Sequence, residues 1–494
     1  MRLLIKIRRD DLVAVMWFRR DLRIEDNTAL KHAFEESKNL ILLFHVNPEQ
    51  FLNPASKNEA AFFKSVEVFQ KELQKQGATL QLVYGSLESC FVKLKKEIPD
   101  WTDLYVNRDE QGYGLERDRV AGKLLKELGV KAHAYHDHYL HSAQEIKTNS
   151  QTHYKVFTPY YLKWIERPKP SVVQVAFDKE KLITPTLFLE DNKKFEDHLH
   201  KNISITNHPV GSAAAKQTLN SFIENKLSKY EEVRDFPLED ATSHLSHHIR
   251  TGEISIRTIF ERVNQAPPSK GKDTFIKELA WRDFYNMVYV TYPNQKKEPV
   301  NPTFRFVNWE NDEQAFNSWK EGKTGFPIVD AAMRQLKELG WMHNRLRMIT
   351  ASFLTKDLLI DWRWGERYFQ EQLVDYDAAS NIGGWQWAAS TGTDGVPYFR
   401  IFNPTTQSER FDKEGLFIKQ YIPELRGIDN KKIHDPSQLT AAEQDEFGVI
   451  IGKDYPKPIV DHKVRRKYAI EAYEESKVIS QQINRQSDEK KLLL

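Results

Sequence analysis

The stretch from Asp375 to Pro404, DYDAASNIGGWQWAASTGTDGVPYFRIFNP, combines residue types that suit the binding of a flat, polar ligand. Trp385 and Trp387 supply flat, polarisable walls, and the Gly383-Gly384 pair lets the backbone approach a bound ring closely. Three side chains can orient polar atoms of such a ligand: Asp375, Asp377 and Asn381. The alternative interpretation of the same stretch is an aromatic core broken by glycines.

Composition limits the kinds of protein this chain can be. Its 494 residues exceed what one hydrophobic core usually organises, which predicts two domains. The net charge is only +2, so nucleic-acid binding would require a clustered basic face. The single cysteine, Cys90, excludes a disulfide within the chain and argues against a thiolate zinc site. Because no long uncharged apolar run is present either, we expect a cytoplasmic protein without a membrane segment.

The first part of the chain alternates short apolar runs with helical patterns. The runs begin with LVAVMWF at Leu12–Phe18 and LILLFHV at Leu40–Val46, and three more follow before residue 140. This alternation predicts a doubly wound parallel sheet over residues 12–140. No G-x-G-x-x-G follows the first run and no G-x-x-x-x-G-K-[ST] occurs, which disfavours a dinucleotide or nucleoside triphosphate in a glycine-rich loop.

The rest of the chain has a different character. Residues 141–210 contain several prolines and one helical pattern, KVFTPYYLKWIER, and are predicted to connect two domains. Residues 211–476 carry helical periodicity almost throughout, which predicts an all-α domain. Residues 477–494 are polar and charged and are predicted to form a frayed tail.

Several long motifs resemble the photolyase/cryptochrome family. They are WFRRDLRIEDN from Trp17, ELAWRDFY from Glu278, GKTGFPIVDAAMRQL from Gly322, WMHNRLRMITASFL from Trp341, and the stretch from Asp375. Within the family the chain is most similar to class I cyclobutane pyrimidine dimer (CPD) DNA photolyases. The resemblance implies an α/β antenna domain, a helical domain that binds reduced FAD, and light-driven transfer of an electron to a dimer in UV-damaged DNA. A blue-light signalling receptor without repair activity is the alternative of another class.

The resemblance also implies which residues bind FAD. It places Asn381 beside N5 of the flavin, where the amide oxygen can accept a hydrogen bond, and pairs Asp375 with Arg347. Asp377 is expected near the fold between adenine and flavin. The remaining expected contacts are Tyr230, Thr242, Ser243, His244, Leu245, Ser246 and Arg282. Taken alone, the Thr-Ser-x-x-Ser run is typical of a helix cap, and a buried Asp–Arg pair can be purely structural.

Three tryptophans match the positions of an electron relay in the family. From the flavin outwards these are Trp385, Trp362 and Trp309. For any single tryptophan, filling the core is the more common role. The resemblance assigns the three together to reduction of the flavin, which is separate from repair itself.

The resemblance further implies contacts with the lesion and with DNA. Trp281 and Trp387 are expected to flank a flipped dimer, with Glu278, Asn344 and Met348 as further contacts to its bases. The expected contacts to the DNA backbone are Arg234, Arg345, Arg400, Gln407 and Arg410. Without the family context, Glu278 would be a surface glutamate and each arginine a solvated charge.

The antenna chromophore is the least determined part of the resemblance. The loop NRDEQGYGLERD lacks the Asn-Glu pair of folate-binding relatives, and Tyr113-Gly114 with Arg117-Asp118 resembles the binders of deazaflavin or flavin. A loop that joins a strand to a helix without any ligand is the alternative. No metal is expected, although His136, Asp137 and His138 are adjacent. A monomer is expected, because the protein must embrace duplex DNA.

Overall fold

The computed structural model describes residues 12–51, 56–184, 189–202 and 208–492. These residues separate into two compact units, each built from more than one segment. The first unit contains the described residues up to Lys147, together with Tyr161–Ser228 and Ser243–Val290. The second contains Thr148–Tyr160, Lys229–Thr242 and the described residues from Thr291 onwards. The predicted domain limits at residues 140, 210 and 476 stay predictions.

A five-stranded parallel sheet forms the centre of the first unit. Its strands are β1 (Val13–Phe18), β2 (Asn39–Val46), β3 (Leu80–Tyr84), β4 (Trp101–Asn107) and β5 (Lys131–Tyr135). They lie in the order β3-β2-β1-β4-β5, and all four pairings are parallel. The order reverses direction on either side of β1, which is the doubly wound arrangement predicted from the sequence.

Both faces of this sheet are buried, and β1 shows why. Ala14, Met16 and Phe18 pack into one apolar cluster, whereas Val13, Val15 and Trp17 pack into the other. Alternate residues of a strand point to opposite faces, so a strand covered on both sides is apolar at every position. The continuous apolar run seen in the sequence follows from this double burial.

Four helices alternate with these strands: α1 (Thr28–Glu36), α2 (Lys57–Lys75), α3 (Leu87–Glu97) and α4 (Gly112–Glu127). Polar residues preceding three of them accept hydrogen bonds from the first helical turn: Asn27, Ser56 and Ser86. Such caps satisfy backbone N–H groups that the helix itself leaves unpaired. Further along the chain come α5 (Phe157–Glu166), α6 (Leu189–Asn202), α7 (Ser212–Asn225), α9 (Ser246–Thr251), α10 (Ile256–Gln265) and α11 (Lys270–Thr291). The sequence pattern predicted α5 but not α6, whose composition is strongly polar.

The second unit is helical, as predicted. Its helices are α8 (Tyr230–Val233), α12 (Glu313–Glu321), α13 (Pro327–Leu339), α14 (Asn344–Ser352), α15 (Trp362–Gln372), α16 (Ala378–Ala388), α17 (Pro404–Phe411), α18 (Leu416–Tyr421), α19 (Ala441–Phe447) and α20 (His462–Leu492). A π-helical turn, Phe353–Asp357, follows α14. Helix α20 continues through most of the predicted tail.

Two sequence predictions about helices need correction. Helix α16 passes through Gly383-Gly384 without a break, although the stretch was expected to be broken there. Each glycine weakens a helix by about 1 kcal/mol, a cost that burial of Ile382 and Trp385 on the same helix can offset. The helical periodicity of AAAKQTLNSFIENKLSKYEEVRD, which starts at Ala213, is not one continuous helix, because α7 ends at Asn225 and α8 begins at Tyr230. Among the described residues, no helix is both long and apolar enough to cross a membrane.

Candidate functional site

Asn381 lies on α16 with its side chain held in one orientation. Its Nδ2 group donates to the backbone oxygen and to Oε1 of Glu366, at 3.3 and 3.2 Å. Glu366 is buried, and its Oε1 also accepts a hydrogen bond from the Tyr376 hydroxyl at 2.9 Å. Because both N–H bonds of the amide point towards Glu366, the carbonyl oxygen of Asn381 is the atom presented away from it. The geometry therefore leaves an acceptor, as the predicted contact with a flavin N–H requires.

Arg347 and Asp375 form the predicted ion pair. Arg347 Nη2 lies 2.8 Å from Asp375 Oδ2, and Arg347 Nε donates to the Met342 backbone oxygen at 2.8 Å. Asp375 is buried, whereas Arg347 keeps about a quarter of its side chain exposed. Asp377 caps α16 by accepting a hydrogen bond from the backbone N–H of Ser380 at 3.0 Å. These contacts fix the start of α16, which positions Asn381.

Of the three predicted relay tryptophans, the two inner ones are buried and the outer one is partly exposed. Trp362 is fully buried, Trp385 is 2% exposed, and Trp309 is partly exposed. However, among the described residues no ring contact joins any two of them. The Trp385 ring instead contacts Phe369 and Trp319, with ring centroids 5.0 and 6.1 Å apart. The sequence analysis did not single out Trp319, because it lies in an ordinary amphipathic helix, α12.

Of the residues predicted to contact the dimer, three lie in the second unit. Asn344 and Met348 are one helical turn apart on α14, with Asn344 Nδ2 3.9 Å from Met348 Sδ. Residues at this spacing share one face of a helix. Trp387 lies on α16 and is half-buried. Asn344 is exposed, so its amide is accessible to a ligand.

Residue His343 immediately precedes this pair and is neutral at ordinary pH. Burial lowers the pKa of its imidazole to about 4. Its Nδ1 accepts a hydrogen bond from the backbone N–H of Arg345 at 3.1 Å and so caps α14. His343 therefore has a positioning role for the first turn of α14, which carries Asn344.

Three of the arginines predicted to bind DNA lie against aromatic rings of the second unit. The guanidinium groups of Arg345 and Arg410 lie 4.5 and 5.0 Å from the Phe411 ring centroid, and Arg234 lies 5.2 Å from that of Tyr230. Arg345 also forms an ion pair with Asp235 at 2.6 Å. Two predicted DNA contacts remain. Arg400 lies just before α17 and is exposed, and Gln407 lies on α17 and is half-buried.

The predicted diphosphate-binding run falls on both sides of the boundary between the units. In the second unit, Thr242 Oγ1 is buried and has no hydrogen-bond partner among the described residues. In the first unit, Ser243 Oγ accepts a hydrogen bond from the Leu245 N–H at 3.3 Å, His244 has a φ of +52°, and Ser246 is the first residue of α9. No described side chain caps α9, so the helix-cap interpretation of this run finds no support. A buried hydroxyl without a partner is uncommon and fits a bound acceptor such as a phosphate.

The remaining predicted residues of the first unit lie on α11. Arg282 Nη1 donates to the His138 backbone oxygen at 2.6 Å, and its guanidinium lies 4.3 Å from the Tyr139 ring centroid. These contacts occupy part of its hydrogen-bonding capacity within the unit. Trp281 makes edge contacts with Phe284, at 5.6 Å between centroids. Glu278 is partly buried.

Asp137, which lies between His136 and His138 in the sequence, is engaged in ion pairs rather than in a metal site. Asp137 is buried and pairs with Arg23 and Arg257, and these cations hold the pKa of its carboxyl well below the usual range. The structure instead gathers His247, His248 and Glu253, whose candidate ligand atoms lie within 4.8 Å of one another. His248 Nδ1 and Glu253 Oε2 are already hydrogen-bonded to each other. No sequence pattern indicated this group, because adjacent histidines have no recognisable ligand spacing.

The loop that resembles antenna-chromophore binders is held in place by charged groups. Arg117 pairs with Asp109 and Asp118 at 2.7 and 2.9 Å, and Arg20 reaches the same Asp109 at 2.6 Å. These cations hold the pKa of the Asp109 carboxyl well below its usual range. An added Cβ at Gly114 would lie 2.6 Å from Asp109 Cβ, so the glycine allows α4 to approach this cluster. Packing and ion pairs thus explain Gly114 and the Arg117-Asp118 pair within the fold, and a second chromophore at this loop stays a prediction.

Comparisons with known proteins agree over almost the whole chain. The family model described as DNA photolyase matches residues 14–177, and the one described as FAD binding domain of DNA photolyase matches residues 275–475. The deoxyribodipyrimidine photo-lyase of Alkalihalophilus pseudofirmus is 43% identical over 467 residues, which are 93% of this chain and 97% of the relative.

Two crystal structures have similar folds over similar lengths. A bacterial class III photolyase from Agrobacterium tumefaciens superposes with a TM-score of 0.86 at 34% identity, covering 96% of this chain and 99% of the other. An archaeal photolyase from Sulfolobus tokodaii, described with two FAD molecules, gives a TM-score of 0.80 at 32% identity, covering 94% and 100%.

Proposed function

Since this chain belongs to the DNA photolyase family, we propose that it is a deoxyribodipyrimidine photo-lyase that uses light and FAD to split cyclobutane pyrimidine dimers in DNA. The observation that carries the proposal is identity of 43% over 93% of the chain, which includes both the parallel sheet and the helices. The family supports FAD as cofactor. The assignment of this chain to class I within the family stays a prediction, because one of the similar structures is described as class III.

The residues present fit a flavin with a diphosphate. Thr242 Oγ1 is a buried hydroxyl without a partner among the described residues, and Asn381 presents a carbonyl oxygen. We propose that the Thr242 hydroxyl binds the diphosphate and that the Asn381 carbonyl oxygen accepts a hydrogen bond from the flavin N–H. Further contacts to FAD are proposed for Arg347, Asp375, Asp377 and Tyr230. When bound and reduced, FAD supplies the electron that light transfers to the dimer. The roles predicted for Arg282 and residues 243–246 stay predictions.

Asn381 and Glu366 contribute the orientation on which this fit depends. The Glu366 carboxylate receives hydrogen bonds from both Asn381 and Tyr376, so the amide cannot turn over without losing a bond. An unmade hydrogen bond in a buried position costs about 1–3 kcal/mol, which favours one orientation strongly. Asn381 thus accepts and does not donate towards the ligand.

Dimer binding is assigned to side chains that suit an extruded pair of bases. Trp387 offers a flat surface, Asn344 an exposed amide and Met348 an adaptable apolar contact. His343, kept neutral by burial, caps the turn that carries Asn344. The roles predicted for Glu278 and Trp281 stay predictions, as do the monomeric state and the cytoplasmic location.

The proposal predicts that the photoreduced protein restores thymines in an oligonucleotide carrying one thymine cyclobutane dimer. Absorbance of the thymines should rise under blue or near-UV light and stay constant in the dark. The Asn381→Asp variant should lose at least about tenfold in repair rate. The new carboxylate would lie within hydrogen-bond distance of Glu366, and two carboxylates so close cannot both stay ionised at low cost.

The matched control for this variant is Asn225→Asp. Asn225 is exposed at the end of α7, so the same chemical change there should leave the repair rate unaltered. A protein that binds FAD and is photoreduced, but restores no thymines, would contradict the repair proposal. The receptor alternative would then become the better account.

Salt dependence tests the proposed DNA-binding residues. Arg410 is exposed and forms no ion pair with any described residue. We therefore expect its full positive charge to be available to a DNA phosphate. The logarithm of the association constant for DNA falls as the logarithm of the salt concentration rises, and Arg410→Gln should make this negative slope about one unit less steep. Fluorescence anisotropy with a duplex carrying one dimer, measured over a series of NaCl concentrations, gives this slope.

Arg119→Gln serves as the control, because Arg119 is exposed on α4 and pairs with Glu116 at 3.2 Å. Its slope should equal that of the unaltered protein. Arg345→Gln is expected to change the slope less than Arg410→Gln, since Asp235 already neutralises Arg345. Equal slopes for Arg410→Gln and the unaltered protein would show that Arg410 does not contact a DNA phosphate.

A further inference from the structure

Three buried side chains at the end of α9 come together in the first unit. His247 and His248 are neighbours on α9, and Glu253 follows the helix. Each offers one atom that can bind a metal, and these atoms all lie within 4.8 Å of one another. The three residues are 5%, 3% and 2% exposed. In the part of the chain that the structure describes, no other group of histidine, cysteine and acidic side chains has this spacing.

The turn after α9 brings Glu253 back to the histidines. Gly252 ends the helix with a φ of +71°, in the left-handed region that favours glycine. The N–H of Glu253 then donates to the His248 backbone oxygen at 3.0 Å. Thr251 Oγ1 donates to the His247 backbone oxygen at 3.1 Å. Hydrogen bonds thus fix the backbone that carries all three side chains.

The hydrogen bonds within the group leave one carboxylate oxygen available to a cation. His248 Nδ1 is hydrogen-bonded to Glu253 Oε2, whereas Glu253 Oε1 is buried and has no hydrogen-bond partner among the described residues. No described lysine or arginine pairs with Glu253, and His248 balances its charge only while the imidazole is protonated. A buried carboxylate is costly unless it is paired or binds a metal. A cation at this point would therefore stabilise Glu253.

We propose that His247, His248 and Glu253 bind a zinc ion. Two imidazoles and one carboxylate are a known ligand set for Zn²⁺, with water in the fourth position of the tetrahedron. Mg²⁺ and Ca²⁺ prefer oxygen ligands, so two histidines fit them poorly. The proposal revises the expectation from the sequence that no metal is bound. It does not depend on the proposed function, because the site uses neither flavin nor DNA.

Zinc would replace the hydrogen bond between His248 and Glu253 by bonds to the metal. Metal–ligand distances of about 2.0–2.2 Å place ligand atoms roughly 3.4 Å apart at tetrahedral angles. Atoms that all lie within 4.8 Å of one another reach this spacing by small side-chain rotations. The ion would join α9 to the turn behind it, so binding should stabilise the folded first unit.

The alternative is a hydrogen-bonded pair without a metal. In that case His248 and Glu253 stabilise the turn by themselves, and His247 only fills space beside them. The two accounts differ in the role of His247, because its replacement leaves the bond between His248 and Glu253 in place.

The decisive experiment measures zinc in untagged, full-length protein produced in medium supplemented with zinc chloride. Loading during synthesis is used because a buried site takes up its metal as the chain folds. After dialysis against metal-free buffer, mass spectrometry of the elements should find one zinc ion per chain. His247→Phe and Glu253→Gln should bind zinc at least about 10–100-fold more weakly and lose it during dialysis.

The matched control is His133→Phe. His133 lies 2.8 Å from Asp103, so it is a histidine paired with an acidic residue but outside the group of three. Its ring stacks on Tyr105 with centroids 4.5 Å apart, a contact that phenylalanine can keep. This variant should hold as much zinc as the unaltered protein.

Two further measurements report on the site itself. X-ray absorption at the zinc edge should show nitrogen and oxygen neighbours at about 2.0–2.2 Å, with the scattering pattern of imidazole rings. Removal of zinc with a chelator should lower the unfolding temperature of the unaltered protein and leave that of Glu253→Gln unchanged.

Two results would overturn the proposal: unaltered protein that keeps no zinc through dialysis, or folded His247→Phe protein that keeps as much as the unaltered protein. The first would mean an adventitious ion only, and the second would leave the hydrogen-bonded pair as the explanation. If His247→Phe does not fold, as judged by circular dichroism, the neutral variant Glu253→Gln decides. Zinc content is measured without light or DNA, so its outcome is separate from that of the repair assay.

Discussion

Replacing Gly252 with alanine will lower the free energy of unfolding of the first unit by about 3–5 kcal/mol. Gly252 ends α9 with a φ of +71°, a left-handed conformation that costs an alanine about 1–2 kcal/mol. An added Cβ would also overlap the Arg20 backbone oxygen and lie 2.6 Å from Asp21 Cα. Backbone atoms cannot turn aside as a side chain can, so this overlap adds to the strain.

The variant Gly129→Ala separates the cost of the left-handed backbone conformation from the cost of the steric overlap. Gly129 has nearly the same φ, +68°, but no atom lies within 4 Å of the position of its added Cβ. Its replacement should therefore cost only the conformational part, about 1–2 kcal/mol. Urea unfolding followed by circular dichroism gives both values. Equal losses for the two variants would show that the close approach to Arg20 does not contribute.

Replacing Gly365 with alanine will destabilise the second unit by about 2–4 kcal/mol and displace Trp385. An added Cβ at Gly365, on α15, would overlap the outer ring of Trp385, with Cζ2 only 2.6 Å away. Trp385 is 2% exposed and wedged against Phe369 and Trp319, so the indole has no free space to enter. Helix α15 or the indole must move.

The control for this variant is Gly122→Ala. Gly122 lies inside α4, is exposed, and has no atom within 4 Å of an added Cβ. Alanine there should stabilise the protein by about 0.5–1 kcal/mol, because alanine is the better helix former. Near-UV circular dichroism of Gly365→Ala should change as the environment of Trp385 changes. An unaltered spectrum and unaltered stability would mean that α15 and α16 are packed less closely than the structure shows.

The parallel sheet could be predicted from the sequence because the information is local. Each strand is a short apolar run bounded by polar residues, and three of the four helices between the strands are preceded by a capping residue such as Asn27 or Ser86. The alternation of the two patterns predicts parallel pairing, since parallel strands need a helix between them. Helix α6 was missed because its residues are mostly charged and its apolar side is short.

Glycines show where local reasoning fails. Gly383-Gly384 suggested a break in the chain, yet α16 continues through it. Backbone propensity is weak compared with the burial of large side chains, so Ile382 and Trp385 decide the outcome. At Gly252 and Gly365 the reason for glycine is a close approach by distant parts of the chain, which no local pattern reveals.

By itself, the sequence determined the parallel sheet, the helical second part, the family resemblance and the pairing of Arg347 with Asp375. These follow from patterns within short segments or from motifs matched residue by residue. Only the tertiary structure decided the orientation of the Asn381 amide by Glu366 and the contact of Trp385 with Trp319. It also decided the burial of the Thr242 hydroxyl, which has no hydrogen-bond partner in the part of the chain that the structure describes. The physical reason is that each depends on how separate helices pack, and an atomic contact between residues far apart in the chain leaves no periodic trace in it.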